Sequence, residues 1–435
     1  MTKIHCSDVG TAPHTNGFQT PGADAYISEP ETSSAVSLPA EHSGRFKRFF
    51  RKYFLEGQKL DREQELRLQE CRRGDLPFHE KYRKYIGMAI PFVFMHTVWW
   101  TLAIRYDIFR LYPTKYEMAV TMILGATVAG ATSEGGGAVA FPVMTLLLHI
   151  DSIVARDFSL MIQSCGMTSA TFTIIWMKVQ LEWHSIVFCT IGSTFGIIFG
   201  LQFVDDIFDG PTKKMLFVSV FFSFAISLYI LNRQKKRTTY VEIPDFNWWK
   251  GAVLLLVGFT GGLCSAVAGS GADICSFSIL TLLFRVSEKV ATPTSVVLMA
   301  ANTVVGFFWR QLIMTEISTL AWEYFEVAVP VVVICAPFGA LLSSHLHRMV
   351  LASFVYILEA LALIGFLITF PPVHLVLIGA GIIFVSFFFF LGLCKLGRKL
   401  EESSNGKLLS DSNMIPSLSY TTDAQNLPES MYQAA

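Results

Sequence analysis

Residues 131–142 read ATSEGGGAVAFP. A glutamate, Glu134, meets three consecutive glycines inside a long apolar run. Glycine weakens a helix by about 1 kcal/mol relative to alanine, and a carboxyl group at membrane depth is expensive. A chain that places both together interrupts a helix there. A second interruption stands at residues 268–273, AGSGAD, again with a carboxylate, Asp273, beside the glycines.

The setting of both breaks is a membrane. Of 435 residues, 52% are hydrophobic and 16% charged, against about 25% charged in soluble domains. The charges crowd into residues 1–85, residues 232–250 and the tail after Cys394. Between them lie apolar stretches of about 20 residues, enough to cross a hydrocarbon core of roughly 30 Å. The chain reads as an all-α polytopic membrane protein with the lipid bilayer as its main partner. A formal net charge of zero gives no footprint for nucleic acid. Eight scattered cysteines form no CxxC pair and no metal-ligand spacing. They read as small buried hydrophobes, and no metal or cofactor is expected. Residues 1–44 lack a signal-type apolar core and read as disordered. Residues 45–85 begin by alternating basic and aromatic side chains, which suits a cytoplasmic amphipathic helix on an anionic leaflet.

The two breaks occupy equivalent places in an internal repeat. Gly135 falls on Gly269 and Gly137 on Gly271, both 134 residues apart. A little later, LLLHIDSIVARDFSL overlies LLFRVSEKVATPTSV at a separation of 136. Two copies follow, 118–231 and 251–370. A first transmembrane helix and outer loop (86–117) precede them, and a last helix (371–394) and a disordered cytoplasmic tail (395–435) come after.

Loop charge sets the orientation, because basic loops stay cytoplasmic. KYRKY before the first span, NRQKKR in the linker 232–250 and KLGRK after the last span are all basic. Both termini are then cytoplasmic, and the acidic DDIFDG at 205–210 is outside. Working inward, 118–150 starts and finishes outside, whereas 251–286 starts and finishes inside. The expectation is two inverted repeats. Each is a Gly-tipped re-entrant hairpin of two half-helices followed by three transmembrane helices. The glycines supply the turn, with φ > 0 and close backbone approach. Irregular backbone at membrane depth must be buried or line a cavity, and opposed tips near the midplane are the pattern of a transporter's binding site. A different count makes every half-helix a short full span, giving twelve crossings.

Such tips favour an anion. The second half-helix of each hairpin starts near Gly137 or Gly271, where free N–H groups carry partial positive charge. The substrate-binding candidates are Gly135, Gly136, Gly137, Gly269, Ser270 and Gly271. Gln163, Ser164 and Thr168 join them from the span after the first hairpin, and Asn302 and Thr303 from the span after the second. Asp273 sits in the first turn after its tip, where the dipole stabilises its charge, and is a coupling candidate together with Glu134. Glu134 ends a half-helix, whose dipole opposes its charge. It is a candidate to carry a coupling proton, unless it forms a structural ion pair with a cation such as Lys178. Lys178 and Arg310 read as span-end anchors, with Arg310 at the outer end, where it could help draw anions in.

These residues resemble the sulfite exporter TauE/SafE family of membrane transporters. Its first Gly-rich tip is followed by a proline, as Gly135, Gly136 and Gly137 are here by Pro142. Gly269 and Gly271 match the second tip, ATPTS at 291–295 the start of the next span, and KVQLEW at 178–183 a short loop ending in tryptophan. Ser133 and Glu134 stand where the family usually has glycine and an apolar residue. The resemblance covers 118–370 and implies export or uptake of sulfur-containing oxyanions, such as sulfite or organosulfonates. It leaves the coupling ion, the membrane and a homo-oligomeric state open. An anion channel is the alternative. A third reading is an intramembrane serine protease, since AGSG at 268–271 partly matches a GxSG motif, with His345, His347 or His374 as base. That motif has Ala268 in place of its first glycine, so no catalytic residue is assigned.

Overall fold

The computed structural model describes residues 82–132, 134–233, 239–345 and 348–413. The expectations for residues 1–81, Ser133, His347 and the end of the tail lie outside the described residues. Every named element is helical, and the order of elements repeats. After α1 (Arg83–Tyr106) comes α2 (Tyr112–Ala131), then a short α3 (Gly137–Pro142) that runs on as a π turn, Val143–Leu147. Three longer helices follow: α4 (Ser152–Trp176), α5 (Trp183–Phe199, continued to Val204) and α6 (Gly210–Arg233).

The second copy has the same order. It consists of α7 (Trp248–Ala268), α8 (Ala272–Ser278, continued to Leu283), α9 (Glu288–Phe308, continued to Met314), α10 (Thr319–His345) and α11 (Arg348–Ile368). The last helix, α12, spans Val373–Asn413. It outruns the expected end at 394, because the Leu, Lys and Glu residues that follow are good helix formers.

The repeat extends to single hydrogen bonds. Leu148 N donates to the Val143 carbonyl and Ile150 N to that of Met144. Phe284 N and Val286 N do the same to Ile279 and Leu280. His149 and Arg285, at the matching point of each turn, both adopt positive φ, 54° and 55°.

Eight helices among the described residues are long and apolar enough to cross a membrane. The segments Gly137–Leu147 and Ala272–Leu283 are shorter. At 1.5 Å per residue they reach about 16 and 18 Å, roughly half of a hydrocarbon core. The sequence suggests two half-helices per hairpin, but each hairpin has one long limb and one short limb. No proline breaks the long limbs: Pro113 stands in the first turn of α2, where it is tolerated, and α7 has none, its Gly258, Gly261 and Gly262 staying helical and buried.

The long limbs pack along the fourth helix of the opposite copy through small residues. Gly130 meets the Ala336 carbonyl on α10, and Gly339 meets that of Thr127. On the other flank, Gly192 and Gly196 of α5 interlock with Gly258 and Gly262 of α7. An added Cβ at Gly262 would stand 2.7 Å from the Ile197 nitrogen, and at Gly258 2.7 Å from the Cys189 Cα. Lipid offers no hydrophobic drive between helices, so van der Waals contact at close backbone approach holds them together. The stretch between the copies is pinned too. Tyr240 N donates to the Arg285 carbonyl (2.9 Å), Ser287 N to that of Tyr240 (2.8 Å), and Ile243 N to Glu182 Oε2 (3.0 Å).

Gly262→Leu should therefore weaken the α5–α7 contact by about 1–3 kcal/mol, the usual cost of overpacking. Thermal unfolding in detergent would register this as a lowered midpoint. Gly381→Leu is the control, since its added Cβ meets nothing within 4 Å. Equal midpoints for the two variants would show that the small-residue seam does not hold the halves.

Candidate functional site

The two Gly-rich tips touch. Gly135 N in the first tip donates to Asp273 Oδ2 beyond the second. The other oxygen, Oδ1, accepts from Gly271 N at 3.1 Å, and Ser270 Oγ lies 3.4 Å from Oδ2. One buried carboxylate thus binds both tips. Gln163, near the middle of α4, adds a second bridge. Its Nε2 donates to the Gly269 carbonyl (2.7 Å) and to that of Ser159 (2.9 Å). With both amide protons engaged, Gln163 Oε1 is turned towards Gly135, where it is buried without a partner.

The glycines serve the two tips differently. Gly269 (φ 76°) and Gly271 (φ 152°) occupy backbone regions closed to most side chains. Gly269 caps α7 through a bond from its N–H to the Ser265 carbonyl, 2.8 Å. The first tip departs from the expected positive φ: Gly136 is right-handed helical, with φ −58°. Its neighbours are glycine for lack of room. A Cβ at Gly137 would lie 2.7 Å from Gln163 Nε2 and 2.9 Å from the Ser270 Cβ, whereas one at Gly136 has the flexible Met122 Cε as its nearest neighbour at 3.3 Å, and Gln163 and Ala129 at ordinary contact distance.

The other candidate groups differ in what they bind. The N–H groups at the second tip are not free for a ligand in this structure, because Asp273 occupies Gly271 N and Ser265 Oγ accepts from Ala272 N (3.1 Å). Ser164, Thr168 and Thr303 turn their hydroxyls back onto their own helices, towards Met161, Ser164 and Met299. Thr168 is also exposed. Asn302 is buried, and both its side-chain polar atoms lack a partner.

Glu134 is buried with both oxygens unpartnered, so no Lys178 ion pair exists among the described residues. The charged groups that bear on it are Glu359 of α11 and Asp273. Glu359 is equally buried, and the two carboxyls interact with each other outside ordinary hydrogen-bond geometry. Sequence reading missed Glu359, although a lone carboxyl in an apolar span is by default a functional signal.

A second polar cluster lies at the start of α4. Arg310 is no lipid anchor. It is buried, donating from Nε and Nη2 to Asp157 (3.1 and 3.0 Å) and from Nη1 to Glu316 (2.7 Å). Asp157 also accepts from Arg156 (2.8 Å), which reaches Asp205, which in turn pairs with Lys213 at 2.5 Å. Six groups alternate in sign from Lys213 to Glu316. Burial works against the charge of Asp205, but Arg156 and Lys213 outweigh it and hold the carboxyl below the usual carboxylate range. Among the described residues the hydroxyl of Ser270 is partnered by Asp273 and by no histidine.

Comparison with known proteins gives one match. A family model described as "Sulfite exporter TauE/SafE" matches residues 118–366. No curated protein matches the chain, and no solved structure does.

The contrast between Gly136 and Gly137 is testable. Gly137→Ala should force the tips apart and lower thermal stability by about 1–3 kcal/mol. Gly136→Ala should be neutral or slightly stabilising, since alanine suits its helical backbone. Midpoints that fall equally in the two variants would contradict the tip packing.

Proposed function

Because the chain belongs to the sulfite exporter TauE/SafE family of membrane transporters, we propose that it carries a small sulfur-containing oxyanion, sulfite or an organosulfonate, by alternating access around its two Gly-rich tips. The observation that carries this reading is the meeting of both tips on Asp273 beside Gln163. The short second limbs support re-entrant hairpins, with tips level with the middle of α4.

Antiparallel contacts between α4 and α9 support the inverted arrangement. Asp157 pairs with Arg310, and Leu160 lies against Gly306. Low numbers on α4 meet high numbers on its counterpart, as a two-fold axis in the membrane plane requires. Asp273 stands where an anionic substrate would sit, as a carboxylate on the tip donors. Substrate binding at the tips then means displacing or neutralising it, and Gln163 and Ser270 are the polar groups at hand to replace its hydrogen bonds.

Reconstitution into proteoliposomes tests the function. Labelled sulfite and an organosulfonate should enter with saturation kinetics, and unlabelled anion inside should accelerate that entry. Flux that rises linearly with concentration and shows no such acceleration would make the protein a channel.

Orientation is tested with single cysteines on a Cys-free background. Asp209→Cys should react with an impermeant reagent in intact cells if that loop is outside. Glu242→Cys should react only after permeabilisation. The reverse labelling pattern would remove the inverted topology.

A further inference from the structure

We propose that Glu134 and Glu359 form a carboxyl pair that binds a single proton between them, and that this proton is the coupling ion for anion transport. The inference rests on the transporter reading above and adds a residue and an ion to it. It starts from an imbalance. Glu134 and Glu359 are buried and bear on each other, and Asp273, bound to Gly135 N beside Glu134, adds the field of a third buried carboxyl. Asp273 is satisfied by main-chain donors from both tips. All four oxygens of Glu134 and Glu359 have no donor, and among the described residues no cation pairs with either.

Two like charges facing each other away from water repel strongly, and burying even one without a partner is costly. A single shared proton removes both problems: the O–H of one carboxyl donates to the other, and one charge is left across four oxygens. Gln163 Oε1 is an independent sign that the tip awaits a donor. It is a buried acceptor fixed by the two bonds of its own amide nitrogen, and it points at Gly135, next to Glu134.

A divalent metal ion fits less well than a proton. Ca²⁺ and Mg²⁺ need about six or more oxygen ligands, and among the described residues no three His, Cys, Asp or Glu side chains are grouped to hold a metal. Asp273 from α8 is the further charged group that bears on Glu134, and the neutral Gln163 from α4 lies against the adjoining Gly135.

The placement supplies the coupling. Glu134 belongs to the first copy's tip and Glu359 to α11 of the second, so movement of one copy against the other changes the distance between the carboxyls. Held together they retain a proton; separated and wetted, each ionises alone and the proton leaves. A proton bound here also lowers the negative charge that an incoming anion meets.

Proteoliposomes loaded with sulfite, with and without a pH gradient, test the proposal. Wild type should accumulate more anion with the gradient. In Glu359→Gln and in Glu134→Gln, the ratio of gradient-driven accumulation to anion exchange should fall to its value without a gradient. The double variant should be no worse than either single one, because one shared proton can be lost only once. Gradient-driven accumulation that survives in either single variant would overturn the pair. Wild type that exchanges anion but ignores the gradient would overturn the pair and leave the transporter reading standing. Wild type that moves no anion would overturn the transporter reading itself.

Infrared spectroscopy of the purified protein gives a readout that needs no transport. Wild type at neutral pH should show the C=O band of a protonated carboxyl, and the double variant should lack it. Absence of that band in wild type would also overturn the proposal.

Discussion

One carboxylate organises the centre of this protein. Asp273 accepts from the main chain of both tips, Gly135 on one and Gly271 on the other. Charge-assisted hydrogen bonds of this kind are roughly twice as strong as neutral ones, and here they join two segments 138 residues apart in the chain. Much around them follows from this clasp. Gly137 has no room for a side chain because Ser270 is brought against it, and Gln163 is oriented because the Gly269 carbonyl comes within its reach. The long limbs are held in place by the glycine seams with α10 and α5.

The charged cluster at the start of α4 obeys a different logic. Lys213, Asp205, Arg156, Asp157, Arg310 and Glu316 alternate in sign, and most are buried. Such an array adds little net stability, because desolvation offsets attraction, yet removing one member leaves a buried charge unpaired at a cost of about 3–5 kcal/mol. Its effect is on specificity of packing. Asp157 can satisfy Arg310 only if α4 and α9 lie in one relative position.

Much of this was legible in the sequence, and the limits of that reading are physical. The tips were readable because glycine in an apolar run contradicts local propensity, and the two copies because the pattern recurs at a fixed spacing. The all-helical membrane architecture was readable from hydropathy. Arg310 was misread, because an arginine at a span end looks the same whether lipid headgroups or Asp157 receive it. Only the topology brings residues 153 positions apart together. Glu359 was overlooked amid apolar neighbours, and its meaning depends on Glu134 facing it. The roles of the first-tip glycines could not be separated, since a shortage of space leaves no local signature, whereas Gly269 at a helix C-terminus does.

The paired left-handed residues His149 and Arg285 bear on how the halves have diverged. Each turn keeps the same two main-chain hydrogen bonds and the same αL residue, while the side chains differ entirely: LHID at 148–151 and FRVS at 284–287. What the two turns share is a backbone trajectory, and it does not depend on which side chains they carry. The two connectors are in that sense interchangeable parts. Grafting one into the place of the other would preserve the turn's own main-chain bonds, and the fold would register the swap only through what the side chains touch.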